Sequence, residues 1–224
     1  MDSLDSDQER LFKTLQQFRL INRLLTPCHR LITRHFLSPM RSEPERTWTL
    51  LDIGSGGGDL VLWITRRCQA LGLKIQVTCM DHDPRVIEFL QRRCDAVPNI
   101  DVVHADATDL HHLSSSRWDF VFANHFLHHL CDEELVPLLA AIDQAARVRY
   151  VLSDLCRSRF SYLAYSSLLP LRWTNSFAWH DGRISIRKAF TLRDGKTFLR
   201  AAGLREKASV QRFFPGHLAI IGSP

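Results

Sequence analysis

Three aspartates and a run of histidines stand where chemistry could be done. Asp52 closes an apolar run, after which the chain breaks into Gly54-Ser55-Gly56-Gly57-Gly58 and an amphipathic pattern begins at Asp59. That succession predicts a buried strand, a tight turn and a helix start. Glycines at 54, 56 and 57 remove Cβ atoms, so a ligand can lie against the backbone. The helix start adds free N–H groups and a partial positive charge, which suit an anionic group. Asp52, just before the turn, is placed to hold a ligand ammonium. Asp81 ends a second apolar run, where a carboxylate can grip the hydroxyls of a ribose. Asp106 ends a third. After a fourth run comes Asn124-His125-Phe126-Leu127-His128-His129, and histidine is the natural general base near neutral pH. His125 and His129 also have the four-residue spacing of helical zinc ligands, but no third ligand falls at a suitable spacing.

The pattern Asp52-x-Gly54-x-Gly56-x-Gly58 has Asp59 where the dinucleotide fingerprint needs Gly or Ala, which disfavours a nicotinamide dehydrogenase. It resembles the first motif of class I S-adenosylmethionine-dependent methyltransferases, an acidic residue followed by G-x-G-x-G. The resemblance implies S-adenosyl-L-methionine as methyl donor and S-adenosyl-L-homocysteine as product. It places Asp52, Gly54 and Gly56 at the amino-acid part of the donor, Asp81 at the ribose, and Asp106 with Ala107 at the adenine. Asn124 would sit where a strand-end carbonyl approaches donor and substrate. Plant-type phenolic O-methyltransferases carry a catalytic histidine in a similar stretch, and overlay on Leu127-His128-His129-Leu130-Cys131-Asp132-Glu133 puts it at His128. Their Asp-Trp is His129-Leu130 here. Members with non-hydroxyl acceptors also carry Leu-His-His, so His128 reads either as a base or as a residue beneath the adenine. Magnesium-using catechol enzymes suggest Asp154 as a metal ligand, but no partner can be named and no metal is expected.

These residues need an alternating α/β frame to bring them together. Leu11, Leu15, Phe18, Ile21 and Leu25 recur at helical spacing, Pro27 breaks the pattern, and Leu31, Ile32 and Phe36 resume it. Two helices therefore precede the first strand, as a brace on the core or a lid over the ligand, with a linker from Ser38 to Arg46. A helix is predicted over 60–71, closed by Gly72, then a strand over 74–81. Asp83 and Pro84 cap and open a helix to about Ala96. Strands follow at 100–105, 118–124 and 150–154, with a polar loop at 108–117 and a helix from Asp132 to Ala146. Strands alternating with helices give a parallel, doubly wound sheet. After the fifth strand, 157–190 breaks the alternation with Phe160, Tyr162, Tyr165, Leu168-Leu169-Pro170, Trp173 and Trp179. A last helix over 192–202 and an antiparallel strand pair at 206–213 and 217–221 complete the pattern. The resemblance makes this a seven-stranded Rossmann-like sheet with a reversed C-terminal pair. Residues 1–46 would form the helical lid and linker, 47–224 the methyltransferase domain, and 157–190 the acceptor-side insertion. Its aromatics suit a flat apolar acceptor or simply pack together. Ser153-Asp154-Leu155, Arg157-Ser158 and His180-Asp181-Gly182 are similar to small bacterial natural-product methyltransferases.

Composition bounds the rest. Hydrophobic residues at 45% suffice for one continuous core in 224 residues, and no stretch is long and apolar enough to span a membrane. The acidic start lacks a signal-peptide core, and six scattered cysteines without a C-x-x-C pair fit reduced thiols in the cytoplasm. A net charge of +5 without a dense Lys/Arg run does not call for nucleic acid. The expected partner is a small aromatic or polyketide-like acceptor methylated at a hydroxyl oxygen, with no membrane partner, in a monomer or homodimer. The rivals are an RNA or protein methyltransferase, which would need a basic groove or an Asn/Asp-Pro-Pro-Tyr-type site, and a non-catalytic donor-binding subunit, whose motifs would be eroded.

Overall fold

The computed structural model describes residues 7–24, 26–113, 117–168 and 177–224. Leu25, Leu169-Pro170 and Trp173 lie outside them, as do the side chains of Phe18, Ile21, His111 and His112. The core of the fold is β1 (Thr47–Ile53), buried along nearly its whole length because it has sheet on both edges and helices on both faces. β2 (Lys74–Asp81) and β4 (Trp118–Asn124) pair with it in parallel, followed outward by β3 (Ile100–His104) and β5 (Ala146–Leu155). β6 (Ala208–Phe213) and β7 (His217–Gly222) complete a seven-stranded sheet in the order 3-2-1-4-5-7-6. Only β7 is reversed: it runs antiparallel to both β5 and β6, so β6 again points with the parallel strands. The expected terminal pair is present, and its reversal relative to the sheet is carried by one strand.

Two hydrophobic cores flank the sheet. On one face lie α1 (Gln8–Leu24), α2 (Cys28–Ile32), a π-helical turn (Thr33–Leu37), α3 (Ser38–Met40), α4 (Asp59–Ala70) and α5 (Pro84–Cys94). On the other lie a 3-10 turn (Ala107–Leu113), α6 (Asp132–Ala145) and α9 (Leu192–Ala201). α7 (Arg159–Leu168) and α8 (Ala178–Lys188) belong to the stretch after β5 and pack on each other. Arg183 donates to the Tyr162 hydroxyl at 2.6 Å, and Gly182 leaves room for the Tyr165 ring.

Three of the boundaries that differ from the sequence reading have a clear local cause. The second helical stretch does not stop at Ser38 but runs on through Met40, which is fully buried. Pro39 has no N–H for the preceding turn, and the chain accommodates it with the π-turn, in which Ser38 N–H reaches back five residues to Thr33 O. The predicted loop at 108–117 begins as the 3-10 turn, because Asp106 Oδ1 caps it by accepting from Thr108 N at 2.8 Å. β5 starts four residues early, at Ala146, which pairs with Trp118 across an irregularity in register.

α2 and α3 are part of the core. Phe36 is fully buried, 4.8 Å from the Phe120 ring and 6.2 Å from Phe122. Truncating such a side chain costs its transfer energy and leaves a cavity. Phe36→Ala should therefore lower the unfolding free energy by about 3–5 kcal/mol in denaturant titrations. A loss below about 1 kcal/mol would mean that this helix rests loosely on the sheet.

Candidate active site

The C-terminal ends of β1, β2, β4 and β5 meet where the strand order reverses, between β1 and β4, the place where open α/β sheets bind ligands. The glycine turn leaves β1 with Gly54, Gly56 and Gly58 all at positive φ, so side chains there would be strained. Gly54 and Ser55 N–H groups donate to Met80 O at 2.9 and 3.1 Å, fastening the turn to β2. Asp81 completes the attachment: Oδ2 accepts from Gly56 N and Oδ1 from Asp83 N, each at 3.1 Å. Asp83 in turn caps α5 through Arg85 N at 2.9 Å. Burial raises the Asp81 carboxyl above the usual range, against the lowering effect of those two N–H donors.

Asp52 is more extreme. It is 4% exposed at the end of β1, no cation among the described residues pairs with it, and burial pushes its pKa up to about 7, reinforced by Asp81 and opposed by Ser55. Asp106 differs. It is exposed, and the Thr108 N–H and hydroxyl, both on Oδ1, hold its pKa below the usual value. Ala107 beside it is buried. Asn124, the last residue of β4, accepts from the Cys28 thiol at 2.9 Å. Burial raises that thiol to about 11, so it stays protonated and can donate.

The loop after β4 holds the histidines. His125 has φ +54°, an uncommon left-handed conformation for a residue with a side chain. Its Nε2 lies 3.1 Å from Nε2 of His217, the first residue of β7. Burial depresses both rings, His125 to about 3 and His217 to about 4. Both are therefore neutral at neutral pH, one donating and the other accepting. His128 sits in the next turn, 4% exposed. Its backbone N–H and Nδ1 meet the two oxygens of Asp154 at 3.0 and 2.7 Å, while Nε2 is buried with no protein partner. Burial raises the Asp154 carboxyl, but His128 and the Leu155 N–H overcome this and hold it low.

The geometry thus gathers Asp52, Gly54, Gly56, Asp81, Asn124 and His128 on one edge, with Asp106 and Ala107 beyond β3. Asp154 is turned to His128 and Leu155 N–H, which donate hydrogen bonds to both of its oxygens. The helical zinc spacing fails. His125 precedes the turn and faces His217, His129 is exposed, and among the described residues no group of three or more His, Cys, Asp or Glu could hold a metal. Sequence reasoning missed His217 and the role of Asp154. An acidic residue at a strand end was visible, but its pairing with a histidine 26 positions away in sequence was not. It also missed the cover. Leu15 of α1 lies 3.8 Å from where a Gly56 Cβ would be, and Phe126 fills the space a Gly54 Cβ would need. Phe177 N–H donates to Thr14 at 3.0 Å, and α8 touches both α1 and the turn carrying His128.

Asp52 yields a stability prediction. Its folded pKa of about 7 exceeds the unfolded 3.8, so the folded state binds the proton more tightly and ionisation disfavours folding. The penalty is absent below 3.8 and complete above about 7, up to roughly 4 kcal/mol at about 1.4 kcal/mol per pH unit. Asp52→Asn should raise the melting temperature at pH 8, and the gain should vanish near pH 4. A gain independent of pH would show that the carboxylate is solvated.

Comparison with known proteins bears on the fold. Residues 50–148 match the methyltransferase-domain family, while curated protein sequences give no match. Among solved structures, the chain is similar to a SAM-dependent methyltransferase from Aquifex aeolicus, with a TM-score of 0.65 and 14% identity over 98% of this chain and 99% of that one. It is similar to an O-methyltransferase family protein from Burkholderia thailandensis (TM-score 0.66, 12% identity, 98% of this chain, 61% of that one). The CurJ carbon methyltransferase gives a TM-score of 0.67 at 16% identity, over 96% of this chain and 58% of that one. These likenesses show a shared fold, and the family match covers β1 to the start of β5, where the glycine turn and the strand-end aspartates stand. Residues 50–148 are thus similar to the methyltransferase-domain family, and the whole chain has the fold of S-adenosylmethionine-dependent methyltransferases.

Proposed function

We propose that the chain transfers a methyl group from S-adenosyl-L-methionine to a hydroxyl oxygen of a small aromatic or polyketide-like acceptor. The observation that carries the donor half is Asp52, a buried carboxylate without a cation, beside a glycine turn open at Gly56. A cationic amino-acid end of the donor would supply the missing charge. Asp81 would take the ribose hydroxyls with lone pairs left by its two N–H partners. Asp106 Oδ2, free of the Thr108 bonds on Oδ1, would face the adenine amino group with Ala107 beneath, and Asn124 would border donor and acceptor. The sulfonium already makes the methyl electrophilic, so the protein has to align the acceptor and receive its proton.

His128 is the proposed base. Asp154 anchors Nδ1 on the β5 side, away from Asp106, which favours proton removal over packing against the adenine. Nε2 is then the free acceptor for a hydroxyl proton. Residues 1–46 divide in this reading: α1 is the lid over the glycine turn, and α2 and α3 are the brace. The stretch 157–190 forms the acceptor side. Because α8 touches the His128 turn, it has to shift to admit the acceptor. Tyr162 and Tyr165 join α7 to α8, so acceptor selection falls to the remaining faces of these helices. Oxygen is the acceptor atom this reading commits to, as in the O-methyltransferase family neighbour, because a carbon nucleophile needs no base placed for a hydroxyl.

The test is His128→Asn, which keeps an N–H donor for Asp154 and removes the base at Nε2. Turnover should fall by about a hundredfold or more, the scale of a positioned base. Donor affinity, measured calorimetrically with S-adenosyl-L-homocysteine, should stay within about twofold, because the loss falls on the transition state. Joint collapse of affinity and rate would place His128 in the adenine pocket. Wild-type protein that binds neither donor nor product would overturn the whole assignment.

A further inference from the structure

We propose that the molecule docks on anionic lipid bilayers through the tip formed by Phe160, Leu163 and Phe214. These side chains are 67%, 65% and 89% exposed, far beyond the usual exposure of large apolar residues, and they share one place. Phe160 and Phe214 line the same groove of about 380 Å³, between the start of α7 and the β6–β7 turn. Leu163 lies three residues after Phe160 on α7, on the same helical face.

The surroundings are basic. Arg212 lines the same groove, and Phe213 is shared with a neighbouring cleft of about 430 Å³ between α2 and β6, lined by His29, Arg30, Arg34 and His35. No carboxylate lines either hollow among the described residues. Neither Arg30 nor Arg34 has an ion pair among them, and exposed Arg159 stands at the foot of the tip. The chain as a whole carries +5. An exposed apolar patch with a cationic flank matches the two attractions of a bilayer surface, insertion at the acyl boundary and charge pairing with anionic headgroups. The aliphatic Leu163 favours acyl chains over stacked bases, and the Arg30, Arg34 and Arg212 flank without a lining carboxylate among the described residues favours anionic headgroups. No helix among the described residues is long and apolar enough to cross a membrane, so the contact is peripheral. α7 also packs on α8, which touches the His128 turn, so seating the tip in lipid bears directly on the cover of the active site.

The test is cosedimentation with vesicles of phosphatidylcholine alone or with about one-third phosphatidylglycerol at low salt. Wild-type protein should bind the anionic vesicles at least about tenfold more tightly and be released by salt. Phe160→Ser with Leu163→Ser, Phe214→Ser alone, and Arg30→Gln with Arg34→Gln should each reduce binding by about tenfold. Donor affinity and melting temperature should be unchanged, since these side chains are exposed. Failure to sediment with anionic vesicles, or equal binding by the apolar variants, would overturn the proposal. So would a concentration-dependent dimer abolished by Phe214→Ser, which assigns the tip to a second copy. Displacement from vesicles by single-stranded RNA at lower concentration than free lipid would assign the face to nucleic acid instead.

Discussion

A carboxylate buried without a cation governs this end of the molecule. Asp52 lies between β2 and β4, where the sheet excludes water from both sides, and among the described residues only Ser55 opposes the effect of burial on its charge. Leaving a charge in such a place costs free energy unless something brings the opposite sign. The glycine turn, the Asp81 clamp and the capped start of α5 hold the backbone around this deficit in a fixed shape. The charge is left uncompensated by the described residues, at a cost to the empty protein that grows as pH rises through about 7.

The second half of the site is organised by a different pairing. Asp154 uses both oxygens on His128, fixing the ring and sparing Nε2, while the neutral His125–His217 pair ties the β4 loop to β7. The reversed strand thus contributes to the site as well as finishing the sheet. α1 and α8 close over both halves through Thr14, Phe177 and Leu15. The glycine turn and the His128 turn therefore share a cover.

Much of this frame was legible in the sequence because period and punctuation agreed. The glycine turn, Gly72, Asp83-Pro84 and the apolar runs each announce a local geometry that the tertiary structure had no reason to override. β4 was read to the residue, since Trp118–Asn124 is an apolar run holding one charge, Asp119, that Thr49 and Arg46 satisfy. Where packing decides, local reading failed. Met40 draws the helix past Pro39, and Ala146 extends β5 through a register shift. The histidines show the limit most clearly. Spacing noted His125 and His129 as a four-residue pair without a third ligand and gave His125 no partner, whereas its positive φ turns the ring to a strand 92 residues away. No local pattern encodes that partner, and none encodes the choice of Asp154 as the orienting group for His128.

The proposed pairing of the buried Asp52 carboxylate with the donor's ammonium can be followed by counting protons. Below its pKa of about 7 the empty protein holds Asp52 protonated, and a cationic ligand must expel that proton. Calorimetric titration with S-adenosyl-L-homocysteine in buffers of different ionisation enthalpy should show release of close to one proton at about pH 6, fading above about pH 8. Asp52→Asn should abolish the release and weaken binding. Binding at pH 6 with no proton release, or with the same release in Asp52→Asn, would contradict the account.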